Sequence, residues 1–188
     1  MTCSGHPTCS GFAASRTRAL LRRFARNRSG VAAVEFALIA APFFFLLFAM
    51  IEIAVVFFLG SVLENAVLET ARDIRTGRAQ SSGMSQAAFR TAVCDRIVVL
   101  GTCDNVEIDV RVFEDFDNVD QSSPIEDGAI NTDDFGFDPG DAGDIVLVRV
   151  FYRWQLLTPG FTGALANMSG NQHLITAATV FRNEPFDD

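Results

Sequence analysis

The 188-residue chain contains no lysine, only two histidines and only four cysteines. Four cysteines are too few for a small disulfide-stapled scaffold. Charged residues make up 20% and hydrophobic residues 49%, which excludes an intrinsically disordered chain. The formal net charge of −8 argues against a nucleic-acid-binding protein. The length predicts one domain with an appendage.

Charge is distributed unevenly along the chain. Residues 1–30 carry six arginines and no acidic residue, a charge of +6. Residues 31–188 contain the nine remaining arginines and all 23 acidic residues, a net charge of −14. Residues 101–144 contain fourteen acidic residues and one basic residue, Arg111. The chain therefore has a basic arm, an apolar block and an acidic body.

The apolar block is the strongest signal in the sequence. Residues 36–59 contain one charged side chain, Glu52. As a helix they would measure about 36 Å at about 1.5 Å per residue, which crosses a hydrocarbon core about 30 Å thick. A signal-peptide core is shorter and ends in small residues. A buried core helix is the alternative, and it is disfavoured because the run is apolar on every face. We predict a single membrane span.

The basic arm predicts the orientation of this span. Positive residues stay on the cytoplasmic side, so the acidic C-terminal head is predicted to be periplasmic. Glu52 lies seven residues before the end of the run, so its carboxylate is expected to reach the outer interface. Pro42 lies inside the span, where it either bends the helix or is a tolerated membrane proline.

Apolar residues continue at spacings of three and four beyond the span, and Gly77 is a stop signal. We therefore predict one helix over residues 31–75. After a linker at 77–84, Ser85 is predicted to cap a short helix. Strands are predicted at 106–112, 145–154 and 173–181, and a solvated acidic loop at 114–143. The first strand alternates apolar and polar residues, as a half-buried strand does.

The predicted fold class is α+β. A long N-terminal transmembrane helix continues into a small periplasmic head with a three- to four-stranded antiparallel sheet packed on helices. We divide the chain into a cytoplasmic basic leader (1–30), a transmembrane and amphipathic helix (31–76) and a periplasmic head (77–188).

The cysteines divide between the two predicted compartments. Cys94 and Cys103 lie in the exported head, where a disulfide persists, so we predict that they are joined; two free buried thiols are the alternative. Cys3 and Cys9 lie in the cytoplasmic arm and stay reduced. They are evenly spaced with His6, but no fourth ligand is near, so we predict no metal there.

Two further site hypotheses concern the acidic loop. Its aspartates suggest calcium binding, but their spacing does not match an EF-hand, and a solvated loop is the better interpretation. No HExxH, P-loop or Rossmann pattern occurs, and His6 and His173 fall on opposite sides of the predicted membrane. We predict no enzyme and no cofactor. A membrane-tethered hydrolase using aspartates such as Asp115 or Asp141 is the competing class.

A recognisable motif lies where the basic arm meets the apolar helix. Residues 28–36 read Arg-Ser-Gly-Val-Ala-Ala-Val-Glu-Phe, with a glycine at 30 and a glutamate at the fifth residue after it. The junction resembles a type IV prepilin processing site. Residues 30–72 more fully resemble the TadE/TadG-like family of tight-adherence (Flp-type) pilus systems. The resemblance rests on residues 30–38, Pro42, the large apolar residues that follow, Glu52, and residues 63–66 and 69–72.

The resemblance implies a pilin-like fold and a structural role as a pseudopilin. It implies cleavage between Gly30 and Val31 by a prepilin peptidase in the inner membrane. Glu35 would pair with the N-terminal amine of its own or a neighbouring chain, and Phe36 and Pro42 would belong to the helix-packing surface. Glu35 could instead lie in the headgroup zone without a partner. The expected partners are lipid, the peptidase, other pilins and inner-membrane Tad assembly proteins. An uncleaved single-pass protein whose head binds an envelope component is the alternative.

Overall fold

The computed structural model describes residues 30–97, 102–158 and 165–186. Most of the basic arm, including Cys3, His6 and Cys9, lies outside these residues. Compact units divide within the first helix: one ends at Leu46 and the other begins at Leu47. Of the first unit, residues 30–46 are described. The second holds the rest of that helix and the head.

Helix α1 runs over Val31–Arg75, with Pro42 inside it, and confirms the single long helix predicted from the sequence. Its C-terminal half carries an apolar stripe at spacings of three and four, which includes the fully buried Leu63 and Ile74. Gly77 follows in the left-handed conformation at φ 77°, and its N–H donates to the Ile74 carbonyl at 3.1 Å. Glycine adopts this conformation without steric cost, so it ends the helix.

Two shorter helices follow. The predicted linker at 77–84 contains a four-residue helix, α2 (Arg78–Ser81), which sequence periodicity did not reveal because it is a single turn. Helix α3 spans Gln86–Arg96. The Ser85 hydroxyl accepts a hydrogen bond from the Ala88 N–H at 3.2 Å, which confirms the predicted N-cap.

The head contains a three-stranded antiparallel sheet in the order β1–β4–β5, as the α+β prediction required. Strand β1 spans Val106–Phe113, β4 Ile145–Gln155 and β5 Gln172–Arg182. A separate two-stranded hairpin, β2 (Ile125–Glu126) and β3 (Ala129–Ile130), lies in the acidic segment. Each long strand lies within two residues of its predicted bounds, because alternating or continuous β-branched residues mark all three.

One face of the sheet packs with α1 and α3 to form the main core. Gly60 of α1 lies close to β5: a Cβ added there would stand 3.8 Å from the Ile175 side chain. The main core also takes in Phe89 and Val93 of α3. The strands contribute alternating buried residues: Val106, Ile108, Val110, Val146, Val148, Val150, Tyr152, Ile175 and Ala177. Burial of these apolar surfaces is the main term that stabilises the head.

The second face of the sheet is covered near Asp109, which corrects the expectation of a half-buried β1. The acids of the covering segment, such as Asp120 and Asp133, stay exposed, as expected of a solvated loop. The acidic segment folds back across this face. Phe135 stacks on Phe151 of β4 with ring centroids 5.2 Å apart, and Ile125 and Ile130 of the hairpin pack beside them. The loop has apolar residues between its acids, and burial of these apolar side chains stabilises its packing on the sheet.

A buried ion cluster joins this covering segment to the sheet. Asp109 of β1 is fully buried and stands directly opposite Arg149 of β4 in the antiparallel register. One Asp109 carboxylate oxygen accepts from Arg149 at 2.7 and 3.1 Å, and the other from Arg111 at 2.8 Å and the Gly136 N–H at 3.0 Å. Arg149 also donates to the Ser122 carbonyl at 3.0 Å. Each buried charge is thus paired and hydrogen-bonded, as burial requires.

The predicted disulfide between Cys94 and Cys103 is present, with their Cα atoms 5.8 Å apart. It links the end of α3 to the short 3-10 turn before β1. In the chain-entropy treatment of a loop of this size, the bond contributes roughly 2.5–3 kcal/mol. The disulfide therefore fixes the start of the sheet against α3.

Candidate functional site

The first part of α1 exposes large apolar side chains on all sides. Phe36, Leu38 and Ile39 are 70%, 71% and 72% exposed. The same holds, at 39–69%, for Phe43, Phe44, Phe45, Leu46, Leu47, Phe48, Met50 and Ile51. Only 22% of the most apolar window of the helix is buried, whereas the core helix of a soluble protein is mostly buried. Helix α1 is therefore long and apolar enough to cross a membrane.

The predicted processing junction lies at the start of this helix. Gly30 is exposed, and a Cβ built on it would meet no atom within 4 Å. Val31 is the first residue of α1 and is 49% exposed. Neither residue is buried by the described part of the chain.

Glu35 stands one helical turn after Val31. Side chains four residues apart lie on the same face of an α-helix, so the Glu35 carboxylate is on the Val31 side of α1. Glu35 is exposed, and among the described residues it has no hydrogen-bonding or ion-pairing partner. An unpaired acid in apolar surroundings is costly, by a few kcal/mol on membrane-insertion scales.

Pro42 and the aromatic residues after it form the middle of the exposed segment. Pro42 lacks an N–H, so the carbonyl of Leu38 loses its usual helical donor. The rings of Phe43 and Phe44 meet edge to face with centroids 5.5 Å apart. Phe36 lies between one and two turns before Pro42 and is among the most exposed large apolar side chains of the described residues.

Glu52 has a structural role that the sequence did not reveal. The sequence suggests a carboxylate that reaches the outer interface, but Glu52 is only 6% exposed. Its two oxygens accept the backbone N–H groups of Leu157 and Thr158, just beyond the end of β4. Val56 and Leu59 are also buried in the head core, so from Glu52 onward one face of the apolar run packs on the head and the other faces stay exposed. Only tertiary contacts reveal that positions 52, 56 and 59 are buried, because the residues around them are apolar on every face of the helix and hide the spacing.

The acidic segment shows no metal centre among the described residues. No group of three or more His, Cys, Asp or Glu side chains is placed to hold a metal ion there. Several acids bond instead to their own turns: Asp120 accepts from the Ser122 N–H at 2.8 Å and hydroxyl at 3.1 Å. These bonds lower the pKa of Asp120, first through the backbone N–H and then through the hydroxyl. Asp120 and Asp138 thus cap turns, since each accepts the backbone N–H two residues further on.

His173 is likewise engaged in structure. Its Nδ1 lies 2.6 Å from the Leu165 carbonyl oxygen, which sets the ring against the backbone. Asp141, a candidate of the hydrolase hypothesis, offers its backbone N–H to Asp144 and its carbonyl to Asn183. These contacts involve the ring of His173 and the backbone, not the carboxylate, of Asp141.

The comparison with protein families gives one result. Residues 30–72 match the family model described as TadE-like protein. The match begins at the glycine before α1, covers the exposed apolar segment and ends three residues before the helix does. Neither the comparison with curated proteins nor that with solved structures finds a match.

Proposed function

We propose that this chain, whose residues 30–72 form a TadE-like segment, acts structurally as a minor pilin or pseudopilin in the assembly of tight-adherence (Flp-type) pili. The TadE-like family implies a role in this assembly. One observation carries the proposal: the matched segment coincides with the exposed apolar part of α1 and its start. A helix of this kind offers an apolar surface on which other helices can pack, and its C-terminal part carries the head.

The proposed topology follows from charge. The arginines before Val31 stay in the cytoplasm, α1 crosses the inner membrane, and the head is periplasmic. A periplasmic head also suits the Cys94–Cys103 disulfide, which persists in an oxidising compartment. In this arrangement lipid surrounds the exposed apolar side chains.

Processing is proposed to take place between Gly30 and Val31 by a prepilin peptidase. Gly30 is exposed and has no side chain, so a protease cleft can approach its backbone closely. Cleavage removes the +6 arm and leaves a free amine on Val31, at the N-terminus of α1. The arm then serves as a topology and processing signal and has no part in the mature protein.

The proposed role of Glu35 depends on that amine. The carboxylate lies on the Val31 side of the helix, so it can pair with the amine of its own chain or of a neighbouring one. Pairing offsets part of the desolvation cost of both charges and gives register to helix packing. Phe36 and Pro42 would contribute to the same packing surface. The partners would be other pilins and inner-membrane Tad assembly proteins.

The role of Glu35 is tested with Glu35→Gln in cells that make the pili. We expect normal amounts of processed protein in the membrane, but loss of surface pili, because glutamine cannot pair as a charge. Glu114→Gln is the control, since Glu114 is an exposed glutamate of the head outside the TadE-like segment. Immunoblots of membrane fractions and electron microscopy of the cells give the two readouts. Normal piliation with Glu35→Gln, or equal loss with Glu114→Gln, contradicts the assigned role.

A further inference from the structure

A turn at the base of the head brings an exposed leucine to the level of Glu52. The turn follows β4 and contains Leu156, Leu157 and Thr158. Its backbone is held to α1, because the N–H groups of Leu157 and Thr158 both donate to the Glu52 carboxylate. The Leu157 side chain, however, is 77% exposed. This is greater exposure than that of Phe36 in the apolar segment, at 70%.

The outward surface of α1 at this level is also apolar. Met50, Phe57 and Phe58 are 69%, 73% and 56% exposed. Polar exposed positions begin only at Ser61. Phe58 lies six residues after Glu52, so the exposed apolar surface continues about 9 Å beyond the level of the turn at about 1.5 Å per residue.

These apolar groups face several directions. Successive residues on a helix are about 100° apart, so Phe57 and Phe58 flank different sides of α1, while Leu157 projects from the head. A second protein chain would cover one side of such a surface. A medium that surrounds the molecule covers all of it, and that medium is lipid.

We infer that the base of the head is immersed in the outer membrane–water interface, with Leu157 inserted as an anchor. This rests on the proposed membrane span of α1 and adds a second lipid contact, made by the head. The Glu52 carboxylate makes immersion feasible, since it is buried and accepts the N–H groups of the turn that lipid could not satisfy. The turn then fixes the height and tilt of the head over the bilayer.

The experiment uses the full chain in phosphatidylcholine–phosphatidylglycerol vesicles, with Cys3 and Cys9 replaced by serine. A nitroxide is attached at one position at a time through Leu157→Cys, Phe36→Cys or Phe116→Cys. Phe116 is the matched control, because it is a large apolar side chain of the head that is 55% exposed. Accessibility to oxygen, which concentrates in lipid, is compared with accessibility to a water-soluble nickel complex.

We expect the oxygen-to-nickel accessibility ratio at 157 to be several-fold higher than at 116 and to approach that at 36. A ratio at 157 equal to that at 116, with 36 in lipid, overturns the inference and leaves the span intact. Water exposure at 36 instead contradicts the proposed span itself. Protection of 157 from both reagents with spin–spin broadening shows a second copy there and also overturns the inference.

A second measurement needs no substitution near the turn. Trp154 is the one tryptophan of the chain and lies three residues before Leu157. Lipids brominated near the headgroup should quench its fluorescence more strongly than lipids brominated near the chain ends. Lack of quenching by either lipid contradicts immersion of the base of the head.

Discussion

Removal of the Asp109 carboxylate should destabilise the head more than any loss of a surface ion pair. Asp109 is fully buried and accepts four hydrogen bonds, three of them from the guanidinium groups of Arg149 and Arg111. The Arg149 side chain is only 7% exposed, so without Asp109 its charge stays buried with the Ser122 carbonyl as its remaining acceptor. Breaking a buried pair in this way costs about 3–5 kcal/mol.

The perturbation is Asp109→Leu in the full chain in detergent micelles, followed by thermal unfolding in circular dichroism. For a protein of this size about 1 kcal/mol shifts the midpoint by about 2–4 °C, so the expected decrease is about 6–20 °C. Arg75→Ala is the control. The Arg75–Glu184 pair is half exposed on both sides, at 52% and 49%, and such pairs are worth about 0–1 kcal/mol.

The double variant Asp109→Leu with Arg149→Leu separates charge from packing. Replacing both members of a buried pair by apolar residues is often neutral, so the double variant should be more stable than Asp109→Leu alone. A midpoint for Asp109→Leu within the range of Arg75→Ala would refute the reasoning. A double variant that is less stable than the single one would show that packing, and not the unpaired arginine, sets the cost.

Two further predictions concern turns of the head. Gly77→Ala should lower the thermal midpoint more than Gly83→Ala. Both glycines have positive φ, 77° and 61°, but only at Gly77 would the new Cβ overlap a side chain, the Phe186 ring. Equal decreases for the two variants would contradict the clash. The pKa of Asp120 is lowered, so the bonds to Ser122 favour folding above the unfolded pKa of about 3.9, and this contribution is lost as pH falls through the folded pKa. Ser122→Ala should raise the pKa of Asp120 only partly in an NMR titration, because the backbone N–H remains; an unchanged pKa would exclude a role for the hydroxyl.

Local patterns were sufficient to predict most elements of the fold. The apolar run and the stripe beyond it predict all of α1, because both depend on the helical period alone. Ser85 predicts the start of α3, and β-branched runs predict the three long strands. The disulfide followed from compartment and spacing. Each of these signals is local in the sequence, so it needs no knowledge of what packs against it.

Tertiary contacts decided the rest. Asp109 alternates with apolar residues in β1, a pattern that predicts an exposed side chain, but the acidic segment covers it. A signal was present at Arg149, an arginine within the continuous apolar run of β4, since a charge there needs an acidic partner. Glu52 was missed for a similar reason. The donors to its carboxylate, the backbone N–H groups of Leu157 and Thr158, are more than a hundred residues away in the sequence, and no local pattern indicates them.

The most direct test of the proposed role is the N-terminus of the protein recovered from membranes of cells with active prepilin peptidase. We predict a mature chain that begins at Val31, seen by N-terminal sequencing, and an uncleaved chain when the peptidase is deleted. Gly30→Leu should block the same cleavage. A chain that still begins near Met1 in the presence of the peptidase would contradict processing and favour an uncleaved single-pass protein whose head binds an envelope partner.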